Sequence, residues 1–596
     1  MVIKKSRSKT VSIKTWDKSD CLPKLDSKEY KQFLDDLEKN VKLIESYKSK
    51  LKPDFKIEDF NKIIKVNEQI TMLLSRIGDY GYLWFSEDTS NQEAKSYRSK
   101  VEKLSVDVNN RIMFFSLWFK QLDDKNANRL ISGVDKEYHY LFEKIREMKK
   151  YTLSEAEEKI LNIKDVTGSQ ALIKIYDTIT NAFNYELEVD GKKMFLTRGE
   201  ITKYVKDERA DVRRDAYLAV QKVYAQHDDV LNEIYRNLIL DWRNEGVEVR
   251  GYKEPISIRN LGNGVSDEAI DALINVCRKN KKVFQDYFKL KSKLCNIKKL
   301  RRWDLYAPYG KKEKEYTYEE SLKIVFEAYQ DYSPKILELA KKIVESDHVD
   351  YEIRKNKMTG AYCMDIGPGI VPYVLLNHTG ELRSVFTIAH EFGHGVHDLL
   401  SGQHSPLTCH PPLVLAETAS VFGEMLLFEK LMKEVKDNEM KKSLLVNKLD
   451  DTYATIGRQI YFIIFEKQAH EMIKNGAGLH ELQNAYLDNL KEQFGDSMDI
   501  DEGFKNEWIG IPHIYHSPFY CYSYAFGNLL VLALYEKYKE EGESFIPKYL
   551  KILEYGGSEK PSKILKEVGI DVEDEKFWQK GFDLVNEMVQ DLKKLV

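Results

Sequence analysis

The stretch from Leu382 to Leu400 reads LRSVFTIAHEFGHGVHDLL, and it is the most informative part of this sequence. Its apolar residues recur at intervals of three and four, which is the spacing of a buried stripe along one side of a helix. These apolar residues are Val385, Ala389, Phe392, Val396 and Leu399. The pattern therefore predicts a largely buried helix over residues 382–400.

This helix carries the pattern His-Glu-x-x-His at positions 390–394. His390 and His394 lie one turn apart on the same face, so both imidazoles can reach one metal ion. Glu391 is rotated away from them but can reach a metal-bound water, which suits a general base. The three-histidine class of zinc protease is excluded, because that class needs glycine and histidine where this chain has His397 and Leu400. His397 lies one further turn along the same face, and we expect it to support the ligands.

A third protein ligand is needed, because two histidines alone do not hold a catalytic zinc ion. The segment from Leu413 to Leu427 is apolar on nearly all sides, which predicts one buried helix. Its acids, Glu417 and Glu424, are seven residues apart and would share a face of that helix. We assign Glu417 as the third ligand and Glu424 as a hydrogen-bonding partner of the site, and the reverse assignment is the main alternative. His404 and His410 receive no role.

Around this segment the sequence predicts a mostly α-helical protein. Helical patterns fill the chain up to about Asn184, where a short hairpin follows: Tyr185–Val189 alternates, and Asp190-Gly191 makes the turn. We therefore expect an N-terminal helical lobe over residues 1–184 and a catalytic region over residues 185–596. Short strands at 361–366 and 371–376 predict a small β-sheet just before the helix at 382–400.

A second group of polar side chains follows near the C-terminus, in the sequence WIGIPHIYHSPFYCYSY at 508–524. It combines two histidines with four tyrosines, and two prolines interrupt it, which indicates a loop that leads into a helix. Packing in the core is the ordinary role of such aromatic residues. Peptide hydrolysis, however, creates a negatively charged oxygen that a tyrosine O–H or histidine N–H stabilises. We expect some of these residues to serve the reaction.

Composition limits the classes of function. The chain has 596 residues, 42% hydrophobic and 32% charged, with a formal net charge of −4, so nothing in it attracts nucleic acid or acidic lipid in general. No run of about 18 apolar residues is present, and the basic N-terminus is not followed by the apolar stretch of a secretory signal. Six scattered cysteines indicate free thiols. We expect a cytoplasmic protein without membrane or nucleic-acid partners, and a homo-oligomer is one of the states left open.

Several segments in order make the sequence similar to oligoendopeptidase F, a branch of the thimet-oligopeptidase-like zinc peptidases. The similar segments are Gly360–Cys363, Pro372–Asn377, His390–His394, Ala416–Ser420, Ile511–Tyr515 and Phe519–Tyr522, together with Arg250–Lys253 and Trp303–Pro308. The resemblance covers the chain from about Arg250 to its C-terminus. It implies a two-lobed helical shell around a deep channel that admits short unfolded peptides and excludes folded proteins.

The resemblance also implies roles for individual residues. It makes Glu417 the third ligand of one zinc ion per chain. The residues Gly360, Ala361 and Tyr362 would lie at a strand edge that pairs with the substrate backbone. His513 and Tyr522 would contact the substrate or the oxyanion, with Tyr515, His516 and Tyr520 as alternatives.

The sequence thus predicts a zinc metalloendopeptidase that cuts internal bonds of short peptides. A metallocarboxypeptidase that shares the helix motif is the nearest alternative. A peptide-binding protein with a vestigial site is less favoured, because the expected ligands and the base are all present in this chain.

Overall fold

The computed structural model describes residues 15–310 and 314–596, so most of the basic N-terminal segment lies outside the described residues. Helices dominate these residues, and the prediction of a mostly α-helical protein is confirmed. In the described part of the chain no helix is long and apolar enough to span a membrane. All six cysteines are free thiols, as expected.

The N-terminal part of the chain is a series of helices with local sequence signals at their ends. For example, Ser154 and Glu157 form the reciprocal capping box at the start of the seventh helix. The helices are α1 (Lys28–Glu45), α2 (Ile57–Glu87), α3 (Gln92–Ile112), α4 (Phe114–Gln121), α5 (Asp124–Ile131), α6 (His139–Glu147), α7 (Glu155–Thr167) and α8 (Ser169–Asn181).

The predicted hairpin follows α8. Strand β1 (Tyr185–Val189) pairs antiparallel with β2 (Lys192–Leu196), and Val189 lies opposite Lys192. Asp190 and Gly191 both adopt positive φ, at 53° and 73°, as a two-residue turn of this kind requires. The hairpin is therefore confirmed, with its turn at the expected residues.

The rest of the chain is again mainly helical. Before the helix that carries His390 and His394 it contains α9 (Arg198–Val205), α10 (Ala210–Ala225), α11 (Asp228–Arg243), α12 (Pro255–Gly262), α13 (Asp267–Lys279), α14 (Lys281–Leu294), β3 (Leu300–Arg301), α15 (Tyr318–Tyr332), α16 (Pro334–Glu345), β4 (Val349–Asp350), β5 (Tyr362–Met364) and β6 (Tyr373–Leu375). Then follow α17 (Leu382–Ser401), α18 (Leu413–Ala416), α19 (Ser420–Glu434), α20 (Asn438–Thr452), α21 (Arg458–Lys474), α22 (Leu479–Phe494), β7 (Met498–Asp499), α23 (Pro512–His516), α24 (Tyr522–Glu541), α25 (Ile546–Glu554), α26 (Pro561–Glu567) and α27 (Glu575–Leu595).

The small sheet before α17 has the strand order β4-β6-β5, with β4 parallel and β5 antiparallel to β6. Strand β6 lies between two hydrophobic cores. Tyr373 and Leu375 face a core built mainly from α1 to α6, whereas Val374 joins the core formed by the rest of the chain. Because alternate side chains of a strand point to opposite faces, this one strand joins the two cores.

The two cores divide the helices of the expected N-terminal lobe. Phe142 belongs to the first core, whereas Tyr176 in α8 already belongs to the second. Helix α8 is therefore tied to the larger body of the protein through Tyr176. The lobe boundary expected near residue 184 stays a prediction. The change from the first core to the second falls earlier in the chain, between Phe142 and Tyr176.

Helix α17 forms where its apolar stripe predicts it, and Val385, Ala389, Phe392 and Val396 are buried. It crosses α19 at very short range. A Cβ atom on Gly393 would lie 2.5 Å from the carbonyl oxygen of Ala419, and one on Gly423 would lie 2.8 Å from that of Ala389. These two glycines let the helix backbones approach each other at the level of the histidine pair.

The structure corrects one expectation about the segment 413–427. It is not one continuous helix, because α18 ends at Ala416 and α19 begins at Ser420. In the turn between them the hydroxyl of Ser420 donates to the carboxylate of Glu417 at 2.6 Å and lies 3.2 Å from its carbonyl oxygen. Such local bonds from serine compete with helix formation. Glu417 therefore lies in a turn instead of on a helix face.

Candidate metal centre and active site

The two histidines of α17 and the turn after α18 meet at one point. Nε2 of His390 lies 3.4 Å from Oε2 of Glu417, and Nε2 of His394 lies 3.5 Å from the same oxygen. The two imidazole rings are 4.9 Å apart between centroids and nearly perpendicular. Each of the three residues presents one ligand atom, and these atoms all lie within 4.8 Å of one another.

Glu424 in α19 fixes the orientation of His390. Nδ1 of His390 donates to Oε1 of Glu424 at 2.7 Å, so Nε2 is the nitrogen left to face Glu417. Burial works to lower the pKa of His390, but the bond to Glu424 raises it to about 9. Lys448 lies 3.7 Å from the other oxygen of Glu424. A ligand histidine whose second nitrogen is bound to a carboxylate is the usual arrangement in zinc sites.

These residues fit a zinc ion. Two imidazole nitrogens and one carboxylate oxygen are the protein ligands of several catalytic zinc sites, in which a fourth position stays open. The geometry also separates the two acids, because Glu417 faces both Nε2 atoms whereas Glu424 is engaged with Nδ1 of His390. This geometry is what the assignment preferred from the sequence requires, and the role of Glu417 as the ligand stays a prediction.

Glu391 lies beside this cluster and is only 6% exposed. Burial raises the pKa of Glu391 to about 7, and a backbone hydrogen bond from Cys363 in β5 opposes that rise. The carboxyl group is therefore in contact with the strand that was expected to bind the substrate backbone. A carboxyl group with a pKa near neutrality can both take and return a proton.

His397, one turn beyond His394, is fully inside the protein at 2% exposure. Burial, together with His394 nearby, lowers the pKa of His397 to about 3, so its ring is neutral. Its Nδ1 has no hydrogen-bond partner among the described residues. It lies beside His394 and the backbone of Ala416.

The C-terminal group brings three half-buried rings together: His513, Tyr520 and Tyr524. The rings of His513 and Tyr520 are parallel with centroids 6.1 Å apart, and that of Tyr524 is perpendicular to both, 6.0 Å and 5.3 Å away. Burial lowers the pKa of His513 and raises that of Tyr524, so both rings are neutral at physiological pH.

Tyr524 is the member of this group that the sequence did not single out. It lies on α24, which contacts Glu417 one turn further on: a Cβ atom on Gly527 would be in ordinary van der Waals contact with Cβ of Glu417, at 3.5 Å. The carboxylate of Glu417 also contributes to the raised pKa of Tyr524. Tyr520 lies in the turn before α24, which begins at Tyr522, so no helical spacing in the sequence singled out Tyr524.

The structure places the other aromatic candidates, Tyr515, His516 and Tyr522, away from the group formed by His513, Tyr520 and Tyr524. Tyr522 is fully buried, and its hydroxyl accepts a hydrogen bond from Asn263 at 2.8 Å. Tyr515 is also a core residue, stacked on Tyr176 with centroids 3.9 Å apart. His516 is exposed at the surface, and its Nε2 lies 2.7 Å from a carboxylate oxygen of Asp177.

The expected substrate edge is strand β5 with the residues before it. Strand β5 pairs with β6 on one side only, so among the described residues its other edge is unpaired. Gly360 is exposed, with φ of 86°, and its carbonyl oxygen accepts a hydrogen bond from Asn377. Ala361 is half-buried. The ring of Tyr362 packs against Trp16 and Tyr82, so its side chain belongs to the first core instead of facing Glu391.

Relatives of known name are similar to the chain over nearly all of its length. The oligoendopeptidase F homolog of Borreliella burgdorferi is 28% identical over 589 residues, which cover 95% of this chain and 96% of that protein. Oligopeptidase PepF of Bacillus subtilis is 26% identical over 600 residues, covering 99% of this chain and 88% of that protein.

Solved structures share the fold. The crystal structure of a putative peptidase from Chlamydophila abortus matches with a TM-score of 0.89 at 25% identity and covers 98% of each chain. That of oligoendopeptidase-F from Enterococcus faecium matches with a TM-score of 0.71 at 21% identity, over 95% of this chain and 98% of the other.

Sequence profiles of two families match the chain in order. The profile of Oligopeptidase F matches residues 118–185, and that of Peptidase family M3 matches residues 203–584. The second match takes in α17, the turn that carries Glu417, and the group around His513 and Tyr524. It also spans well over half of the chain. This chain is therefore a member of peptidase family M3, a family of metallopeptidases.

Proposed function

We propose that the chain is a zinc metalloendopeptidase that hydrolyses internal bonds of short unfolded oligopeptides. The observation that carries this proposal is the convergence of His390, His394 and Glu417, with ligand atoms within 4.8 Å of one another, beside the buried carboxyl of Glu391. One zinc ion per chain would be held by these three residues. When bound, zinc polarises the scissile carbonyl and lowers the pKa of a water molecule to about 7.

Glu391 is the proposed general base. Its carboxyl group accepts a proton from the attacking water and then passes that proton to the leaving amine. Its position supports both steps. The carboxyl group lies beside the histidine pair and near Cys363 of β5, the strand along which a substrate backbone would run. His390, held by Glu424, contributes no proton in this scheme and serves as a ligand.

His513 and Tyr524 are the proposed donors to the oxygen that becomes negatively charged. Both are half-buried and close to one another, and Tyr524 lies on the helix that packs against Glu417. Neutral rings keep their N–H and O–H groups for donation. Tyr520 lies between them in sequence and is the proposed contact to the substrate. Tyr522 is replaced by Tyr524 in this assignment, because the Tyr522 hydroxyl is buried against Asn263.

The unpaired edge of β5 is the proposed site for the substrate backbone. An extended peptide that adds to this edge would hydrogen-bond through its main chain, so binding would depend little on side chains. Gly360 and Ala361 would contribute main-chain groups just before the strand, and Gly360 is exposed. Cys363 of this strand lies near Glu391, so a peptide bound at the edge would pass the proposed base.

A synthetic peptide blocked at both ends tests this function. We expect cleavage at internal bonds, read from the masses of the products, and loss of cleavage when a chelator removes the metal. Stepwise trimming of a peptide with a free C-terminus, without cleavage of the blocked peptide, would indicate the metallocarboxypeptidase instead. Binding without any cleavage would indicate a peptide-binding protein.

A further inference from the structure

A second group of unlike metal-binding side chains lies away from the histidine pair. Asp365, Cys409 and His410 each present one ligand atom, and these atoms all lie within 4.8 Å of one another. Nδ1 of His410 is 3.3 Å from Oδ2 of Asp365. We propose that these three residues form a second binding site for a zinc-like divalent ion. None of the three belongs to the cluster of His390, His394 and Glu417.

The backbone that carries these ligands is held in place. Asp365 directly follows β5, and its other carboxylate oxygen accepts a hydrogen bond from the backbone N–H of Gly367 at 2.9 Å. Cys409 and His410 lie between α17 and α18, in a turn that packs against Gly556 and Gly557. A Cβ atom on Gly556 would lie 2.1 Å from the carbonyl oxygen of Cys409, and one on Gly557 would lie 2.3 Å from that of His410. Asp365 and the turn are thus each held by contacts of their own.

Carboxyl groups of three aspartates lie around the proposed site. Asp79 of α2 and Asp398 of α17 lie close enough for Asp365 to raise the pKa of each carboxyl group, although burial is the larger cause. The thiol of Cys363 donates to Asp398 at 3.7 Å. Within residues 15–310 and 314–596, no Lys or Arg forms an ion pair with any of these three aspartates. Asp365, which pairs with His410 and lies near two further carboxyl groups, is thus in a setting that favours a bound cation.

The donor types indicate which ion would bind. A thiolate with an imidazole and a carboxylate suits zinc and other borderline-soft ions, whereas calcium and magnesium take oxygen ligands. Burial and Asp365 raise the pKa of Cys409 to about 12, so binding would release the thiol proton to solvent. The side chain of His410 is 58% exposed, which gives an ion a path from the surface.

A bound ion would have a structural consequence close to the proposed active site. It would tie the end of β5, through Asp365, to the turn that follows α17. Strand β5 also contacts Glu391 through Cys363. The second site would therefore stiffen the strand proposed to bind the substrate backbone.

Cobalt(II) binding to the full-length protein, freed of metal and reloaded, tests this inference. The histidine pair and Glu417 include no thiol, so a thiolate-to-cobalt charge-transfer band reports the second site alone. We expect wild type to bind two equivalents of Co²⁺ and to show this band. Cys409→Ser should lose the band and one equivalent, and His410→Asn should weaken the second equivalent at least tenfold. Cys277→Ser, at a buried thiol in α13, is the matched control and should behave as wild type.

Two results would overturn the proposal. One is a single equivalent without a thiolate band in the wild type. The other is a band that persists unchanged in Cys409→Ser. Neither result bears on the catalytic cluster, because the first equivalent and the hydrolysis of peptides do not depend on Cys409.

Discussion

Nδ1 of His390 donates to Oε1 of Glu424 at 2.7 Å, and this bond turns Nε2 of the same ring toward Glu417. The proposed metal site thus depends on two acids with different tasks. Glu424 orients a histidine, and Glu417 faces both histidines directly. The orienting role of Glu424 can be tested by substitution.

Glu424→Gln should weaken zinc binding by about 10- to 100-fold, because it removes the carboxylate that orients and polarises a ligand histidine. Glu434→Gln is the matched control, since Glu434 lies on the same helix with its side chain 57% exposed. Competition with a chromophoric chelator measures both affinities. Equal affinity in Glu424→Gln and wild type would show that the orienting bond is not needed.

Tyr524→Phe should lower kcat by about 10²- to 10³-fold with little change in KM, because it removes one donor to the developing oxyanion. Tyr522→Phe removes a hydroxyl that is bound to Asn263 inside the protein, and it should leave kcat within a few-fold of wild type. Steady-state kinetics on one blocked peptide compares the two variants. The reverse order of effects would restore Tyr522 to the role expected from the sequence.

Gly393→Ala should destabilise the protein and reduce its metal content. The added methyl group would lie 2.5 Å from the carbonyl oxygen of Ala419, so α17 and α19 must separate at the metal site. Overpacking of this kind costs about 1–3 kcal/mol or more. Gly262→Ala is the control, because no atom lies within 4 Å of its added methyl group. An unchanged melting temperature in Gly393→Ala would contradict the close crossing.

The buried carboxyl group of Glu466 should make the stability of the protein depend on pH. It is 1% exposed, and its carboxyl group accepts the backbone N–H of Phe519 at 3.0 Å. Burial raises the pKa of Glu466 to about 8, from an ordinary value of 4.5. Between these values the folded protein keeps a proton that the unfolded chain has released, so the wild type should lose stability as pH rises through this window.

Glu466→Gln removes the titrating group but keeps an acceptor for Phe519. The variant should therefore gain stability relative to wild type by a few kcal/mol between about pH 5 and about pH 8. Melting temperatures of both proteins at the two pH values provide the measurement. A difference that stays constant with pH would show that Glu466 is not the group responsible.

The features predicted correctly from the sequence are those set by local spacing. Helix α17 and the pairing of His390 with His394 follow from residues three and four apart, and the hairpin follows from Asp190-Gly191. The turn at Glu417 was missed, because an apolar composition does not show that the Ser420 hydroxyl will compete with the helix.

The choice between Tyr522 and Tyr524 could not be made from the sequence. Residues two apart on a helix point in directions about 200° apart, so the answer depends on how α24 is placed against its neighbours. That placement includes the contact between Gly527 and Glu417, which are distant from one another in the chain. The grouping of Asp365 with Cys409 and His410 is likewise a product of tertiary structure, since Cys409 lies 44 positions after Asp365 in the chain.

The most direct test of the proposed mechanism is the zinc content and turnover of Glu391→Gln, measured beside wild type. The substitution keeps the size of the side chain and leaves His390, His394 and Glu417 in place. Zinc content should equal that of wild type, whereas kcat should fall by at least about 10²-fold, because the base that takes the water proton is lost. If zinc content falls in proportion to activity, or if activity persists, Glu391 is not the general base.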